Sequence, residues 1–203
     1  MLEETDWIGG QMTAAAVTSM DESGPLVRER GLYREFHESM TAWYYTLDKS
    51  PFMAYYGGWS TTNQKDGGYE PRTAKNVLYG FIQHAREEAA RKNTGGKLDL
   101  LVRTRVVEVL RSGSSVRGVQ IVQWNAAGKE NRKVIRCKML IDATEYGDVI
   151  PLTGIPYRVG NTKSTSIDPQ AVAQDNTFTG VIREYPQGIP QHLIIPVKPP
   201  GYE

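Results

Sequence analysis

Between residues 71 and 142 the spacing of apolar residues changes once, from a helical period to a strand period. That change restricts the chain to folds in which a long helix feeds a sheet. Ala74, Val77, Leu78, Phe81, Ile82, Ala85 and Ala89 form one stripe, with Glu87, Glu88, Arg91 and Lys92 largely opposite. The pattern predicts an amphipathic helix over about 72–92, packed against a sheet. Pro71 suits its first position, and Gly95-Gly96 ends it. Leu98 to Leu110 and Val116 to Trp124 then read as strands, with turns at Gly113-Ser114-Ser115 and Ala126-Ala127-Gly128-Lys129. Ile135, Cys137, Met139 and Ile141 alternate with Arg136, Lys138 and Leu140. The fully apolar Met139-Leu140-Ile141 predicts a strand entering a covered sheet and ending at Asp142.

Before this block, residues from about 26 to 47 read as a helix, since Leu32, Tyr33, Phe36, Met40, Trp43, Tyr44 and Leu47 recur at spacings of three and four. Pro51 should stop it. After Pro151 the chain becomes polar and loop-rich. Thr177 to Glu184 reads as one strand, and the end is rich in proline.

Several function classes lose support from composition. A net charge of +1 gives no field to recruit nucleic acid or an anionic membrane, so neither is an expected partner. No apolar run approaches the roughly 20 residues that span a bilayer. One cysteine, Cys137, allows no internal disulfide, and His37, His84 and His192 have no ligand spacing, so no metal site is expected.

Two segments carry chemistry. In a dinucleotide-binding βαβ unit an acid at the end of the second strand accepts hydrogen bonds from a ribose diol, and Glu3 occupies such a place. Gly9-Gly10 then allows close backbone approach to a ligand. The alternative is an ordinary glutamate before a turn. The second segment, Leu140 to Asp148, ends an apolar strand in small residues and a carboxylate, at the sheet edge where open α/β folds bind ligands. Its alternative is a strand followed by a capped helix start. Trp43, Tyr44, Tyr45, Phe52, Tyr55, Tyr56 and Trp59 crowd together either as core and interdomain packing or as an aromatic substrate wall, with Asn63, Lys65 and Asp66 following.

In this order, Glu3-x-x-x-x-Ile8-Gly9-Gly10, strands opening on Thr104-Arg105-Val106, and Ile141-Asp142-Ala143-Thr144-x-x-Gly147-Asp148 resemble FAD-dependent oxidoreductases of the glutathione-reductase type. The likeness is strongest to a bacterial branch, through Glu4 to Gln11, Glu70-Pro71-Arg72 and Asp142 to Gly154, and it covers nearly the whole chain. The resemblance implies an α/β FAD/NAD(P)-binding layered fold: a parallel sheet, helices and an antiparallel β-meander. It implies FAD as cofactor and a hydride passing from a small-molecule substrate to the flavin. Residues 1–150 would be a partial FAD-binding domain with an aromatic-rich helical insertion at about 26–66, and 151–203 the truncated start of a substrate domain.

Residue by residue, the resemblance assigns Glu3 to the adenosine ribose and Gly9, Gly10 and Gln11 to the neighbourhood of pyrophosphate and flavin. Val106 would offer backbone bonds to adenine, and Ala143, Thr144, Gly147 and Asp148 would line the pyrophosphate and ribityl side. Glu145 stands where the commoner form has glycine. It names no catalytic acid or base. The family's opening strand and Gly-x-Gly-x-x-Gly are absent from these 203 residues, since Gly57-Gly58, Gly67-Gly68 and Gly95-Gly96 have the wrong spacing. The chain is therefore expected to be an internal fragment lacking roughly the first 30 residues of the βαβ unit. Self-association through an unpaired sheet edge is then expected. The rival expectation is a non-catalytic remnant or scaffold that binds no cofactor alone.

Overall fold

The computed structural model describes residues 1–17, 26, 29–46, 69–163, 168, 170–172, 184–194, 196 and 197. Helix α1 spans Gly31–Thr46 and helix α2 spans Pro71–Arg91. Strands β1 (Thr104–Ser112), β2 (Ser115–Trp124) and β3 (Glu130–Arg136) form an antiparallel meander in that order.

The α2 stripe finds its partner in a helix, where the sequence pointed to a sheet. Phe36, Met40 and Tyr44 of α1, one turn apart, form a buried cluster with Tyr69 and Ala74, and Met12, Val77, Leu78 and Phe81 pack onto it. Ile82 is also buried, while Ala85 is exposed. The Phe36 and Tyr69 rings meet edge to face at 6.0 Å. Burial pushes the Tyr69 phenol well above its ordinary pKa. The apolar face of α1 is narrower than its spacing suggested: Leu32 and Trp43 lie on the exposed side.

A polar clasp joins the end of α1 to the start of α2. The Tyr44 hydroxyl donates to Glu70 Oε2 at 2.9 Å and accepts the Glu70 N–H at 3.3 Å. Pro71 opens α2, where the missing N–H costs nothing. The helix stops at Arg91, within a residue of the expected end, and Asn93 at φ 49° takes the left-handed conformation ahead of Gly95 at φ 67°.

The meander's core face carries Val106, Val109, Val116, Val119, Ile121 and Ile135. Val106 and Val109 are three apart, so a regular strand would put them on opposite faces. A register shift between Val106 and Glu108 absorbs one residue and brings both inward, opposite Ile121 and Val119. The turn residues behave as read, with Gly113 at φ 58° and Gly128 at φ 74°. Asn125 Oδ1 accepts the Ala127 and Lys129 N–H groups.

The expected parallel sheet is reduced, among the described residues, to one parallel bridge, Leu2 with Leu101. Residues 139–143 form no strand: Met139 is 77% and Ile141 78% exposed, and only Leu140 packs inward. An apolar run reads as a covered strand only if neighbours flank it on both faces, and among the described residues one face has none. Leu47, Pro51, Phe52, Tyr55, Tyr56, Trp59, Asn63, Lys65 and Asp66, the Tyr45 side chain, and most of 177–184 lie outside the described residues.

Met40 is fully buried and Leu32 is 70% exposed on the same helix. Met40→Ala is expected to lower unfolding stability by about 2–5 kcal/mol, and Leu32→Ala by no more than about 0.5 kcal/mol. Urea denaturation measures both; equal losses would contradict the placement of the α1 face.

Candidate functional site

The N-terminal segment reaches the meander by backbone bonds. The Glu3 N–H donates to the Leu101 carbonyl at 2.9 Å, the Thr104 N–H to the Glu3 carbonyl at 2.8 Å, and the Arg103 N–H to the Thr5 carbonyl at 2.8 Å. Glu3 is thereby fixed beside the start of β1. Since Thr104 turns its N–H toward Glu3, the two-residue strand period carries the backbone of Val106 to that same edge, away from β2.

Glu3 is held in place through one oxygen. Its Oε1 accepts the Thr5 N–H at 2.8 Å and lies 2.8 Å from Thr5 Oγ1. That hydroxyl is also 2.8 Å from the Trp7 carbonyl, and its single proton serves one acceptor at a time. Oε2 has no partner among the described residues, so a half-buried carboxylate presents one oriented acceptor. The neighbouring acids differ: Glu4 faces Arg105 at 3.7 Å and Asp6 faces Arg103 at 3.3 Å, both exposed pairs of small energetic value.

The two glycines have different work. Gly9 sits at φ 110°, and a Cβ there would lie 2.6 Å from Leu78 Cδ1 and 2.9 Å from the Thr13 side chain. Its lack of a side chain is required by the chain's own packing on α2. At Gly10, φ 50°, a Cβ would meet only Glu145 Oε1, at 3.9 Å. Among the described residues the space beside Gly10 is therefore open, and the one neighbour there belongs to the second signature segment. Gln11 is exposed in a 3-10 turn, Gly10–Met12. Lys75 of α2 lays its Nζ over the Trp7 ring, 4.2 Å from the centroid.

The second segment is a loop wound around Asp142. This carboxylate accepts the Thr144 N–H at 3.0 Å and Thr144 Oγ1–H at 2.7 Å on one oxygen, and the Val149 and Ile150 N–H groups at 3.0 and 3.1 Å on the other. Thr144 Oγ1 in turn accepts the Asp148 N–H at 2.7 Å. Gly147 turns at φ 70°, and the chain enters a 3-10 turn at Pro151–Thr153 that Arg111 of β1 ties down through the Thr153 carbonyl. Ala143, Thr144, Glu145 and Asp148 have exposed side chains.

The two segments meet through their apolar residues. Val149 is buried against the meander, and Leu2, Leu101 and Leu140 pack into the same cluster. Of the residues singled out from sequence, the fold brings Gly10 to the Asp142–Asp148 loop and Glu3 to the edge of β1. Two residues escaped sequence reading. Thr5 orients Glu3, and Asp142 organises the loop. A signal for Asp142 was present: an Asp followed two residues on by Thr, ahead of amides that need a cap.

Partial burial pulls the Asp142 carboxyl up, but the bonds from Thr144, Val149 and Ile150 outweigh it and hold the group below its ordinary value of 3.8. A group depressed on folding stabilises the native state above its unfolded pKa and loses that contribution as pH falls through the folded one. Acid titration followed by tryptophan fluorescence should show the native state weakening below about pH 4. Asp142→Asn should remove part of that dependence while lowering stability at pH 7. An identical acid profile in the variant would contradict the role of this carboxylate.

A family model described as FAD dependent oxidoreductase matches residues 1–192. No curated protein and no solved structure matches the chain. The match spans both signature segments, the helices and the meander that holds them together. The chain belongs to the FAD dependent oxidoreductase family, whose cofactor is FAD.

Proposed function

We propose that the chain contributes the ribose-binding and ribityl-facing part of an FAD site, in an enzyme that takes a hydride from a small-molecule substrate. The observation that carries this reading is the meeting of the two signature segments: the open side of Gly10 faces Glu145, and both segments share the Leu2, Leu101, Leu140 and Val149 cluster.

The residues present suit the cofactor on its sugar side. Glu3 Oε2 would accept from the adenosine ribose diol, oriented by the Thr5 bonds to Oε1. The free edge at Val106 would meet adenine. Gly10 would admit a ligand, since no side chain of the described residues fills the space beside its backbone. Thr144, Gly147 and Asp148 would border the ribityl chain, with Ala143 and Gln11 nearby. When bound, the flavin supplies the electron-accepting centre, and these residues bind and orient it.

On its pyrophosphate side the site is poor in donors. A dianion needs backbone N–H groups and the positive end of a helix, and the 203 residues contain no Gly-x-Gly-x-x-Gly. Glu3 on the ribose side, Asp148 on the ribityl side and Glu145 beside Gly10 add negative charge near the pyrophosphate. Met139 and Ile141 present an apolar, strand-like run with no strand partner among the described residues. That run supports self-association of the chain.

Two outcomes follow. Glu3→Ala should weaken FAD binding by about 1.5–3 kcal/mol, the cost of losing a charged acceptor, as read by flavin fluorescence titration. An unchanged affinity refutes the assignment of Glu3. The purified 203-residue chain should be nearly colourless and should sediment as more than a monomer, yet bind FAD weakly at high concentration. A yellow monomer with stoichiometric flavin would overturn the donor-poor reading. A complete lack of flavin binding would favour a cofactor-free scaffold.

A further inference from the structure

Asp142 spends its whole acceptor capacity on its own loop. A carboxylate has about four lone-pair sites, and four donors occupy them: Thr144 N–H, Thr144 Oγ1–H, Val149 N–H and Ile150 N–H. No site is left for a ligand. Asp148 is reached at second hand, because Thr144 Oγ1 gives its proton to Asp142 and so keeps its lone pair turned to the Asp148 N–H, 2.7 Å away. The bonded amides span Thr144 to Ile150. Between them lie Glu145, which faces Gly10, and Gly147, whose left-handed turn puts Asp148 at the exposed rim. Val149, the next residue, is buried against the meander, so the loop is anchored to the sheet at one end and to Asp142 at the other.

We propose that Asp142 is the positioning residue of the cofactor loop: its carboxylate sets the backbone of Thr144–Ile150 and, through the Thr144 hydroxyl, the amide of Asp148, in the shape that meets FAD. This rests on the FAD reading above. It goes beyond that reading by giving the decisive role to an acid that touches no cofactor atom. Asp142→Asn is the informative change. The amide keeps one acceptor oxygen but turns an N–H₂ toward donors, leaving either Thr144 or the Val149 and Ile150 amides opposed.

The test uses the full chain, ¹⁵N-labelled, with amide exchange and FAD-induced shifts read on the same samples. In Asp142→Asn, the Val149 amide, or that of Thr144, should exchange about tenfold faster, Ile150 less so because its N–H also donates to the Gly147 carbonyl at 3.0 Å, and FAD affinity should fall by about tenfold. Asp142→Glu, which restores a carboxylate, should recover most of both. Thr144→Val should free the Asp148 amide while leaving Val149 and Ile150 protected, and Thr144→Ser should restore it. This second pair carries the test if Asp142→Asn does not fold. Unchanged exchange at all three amides in Asp142→Asn overturns the proposal, as does faster exchange with unaltered FAD affinity, which would make Asp142 a cap only. A wild-type chain that shows no shifts with FAD defeats the FAD reading and the cofactor part of this one. The exchange data then still decide whether Asp142 holds the loop.

Discussion

One apolar contact set, Leu2, Leu101, Leu140 and Val149 against the core face of the meander, holds the candidate site together. These residues come from three stretches far apart in sequence. Each is followed within a few positions by a chemical group: Leu2 by Glu3, Leu101 by the start of β1, Leu140 by Asp142 and its loop. Burying Val149 contributes roughly 1.5–3 kcal/mol and each of the three half-buried leucines a part of that, together more than the exposed Glu4–Arg105 and Asp6–Arg103 pairs that also link the first two stretches. The polar groups are placed by the apolar ones. The ion pairs add little beyond register.

What was legible in the sequence was what depends on near neighbours. The Pro71 start of α2 and the turns at Gly113 and Gly128 follow from local backbone chemistry, and the structure places them as read. The meander follows from alternation over adjacent segments. The errors lie where a distant partner decides. The stripe on α2 shows that it buries a face; it is silent on whether a helix or a sheet receives it. Met139 and Ile141 look like a covered strand by composition alone, yet burial requires a neighbour on each face. The end of α2 is as local as its start: the helix stops at Arg91, about where the stripe runs out, with Asn93 in the left-handed terminating position ahead of Gly95.

The glycine pair shows how one motif can serve two constraints. Gly9 is dictated by Leu78 and Thr13, both within this chain, so packing alone requires a glycine there. Gly10 has, among the described residues, open space and one polar neighbour across the gap. Only the second carries information about a ligand, and sequence treats the two alike. The same separation applies to Lys75 and Trp7: their stacked contact ties α2 to the loop that bears both glycines, and so sets where the open side of Gly10 points.

Acceptor capacity sorts the acidic residues of the two signature segments into tasks that their order in the chain does not reveal. Glu4 and Asp6 face arginines, and Asp142 is saturated by its own loop. Glu3 has one oxygen engaged and the other without a partner among the described residues. A ribose diol needs an oriented, unsatisfied acceptor, since a mobile carboxylate would lose side-chain entropy on binding. Thr5 engages Oε1 and leaves Oε2 without a partner among the described residues, which suits the ribose role proposed for Glu3. Asp142 is oriented just as firmly, but its satisfied oxygens have nothing left to offer a ligand. Two carboxylates in one family signature therefore reach opposite roles, one outward and one inward. The number of backbone amides within reach of each makes the difference: one for Glu3 and three for Asp142.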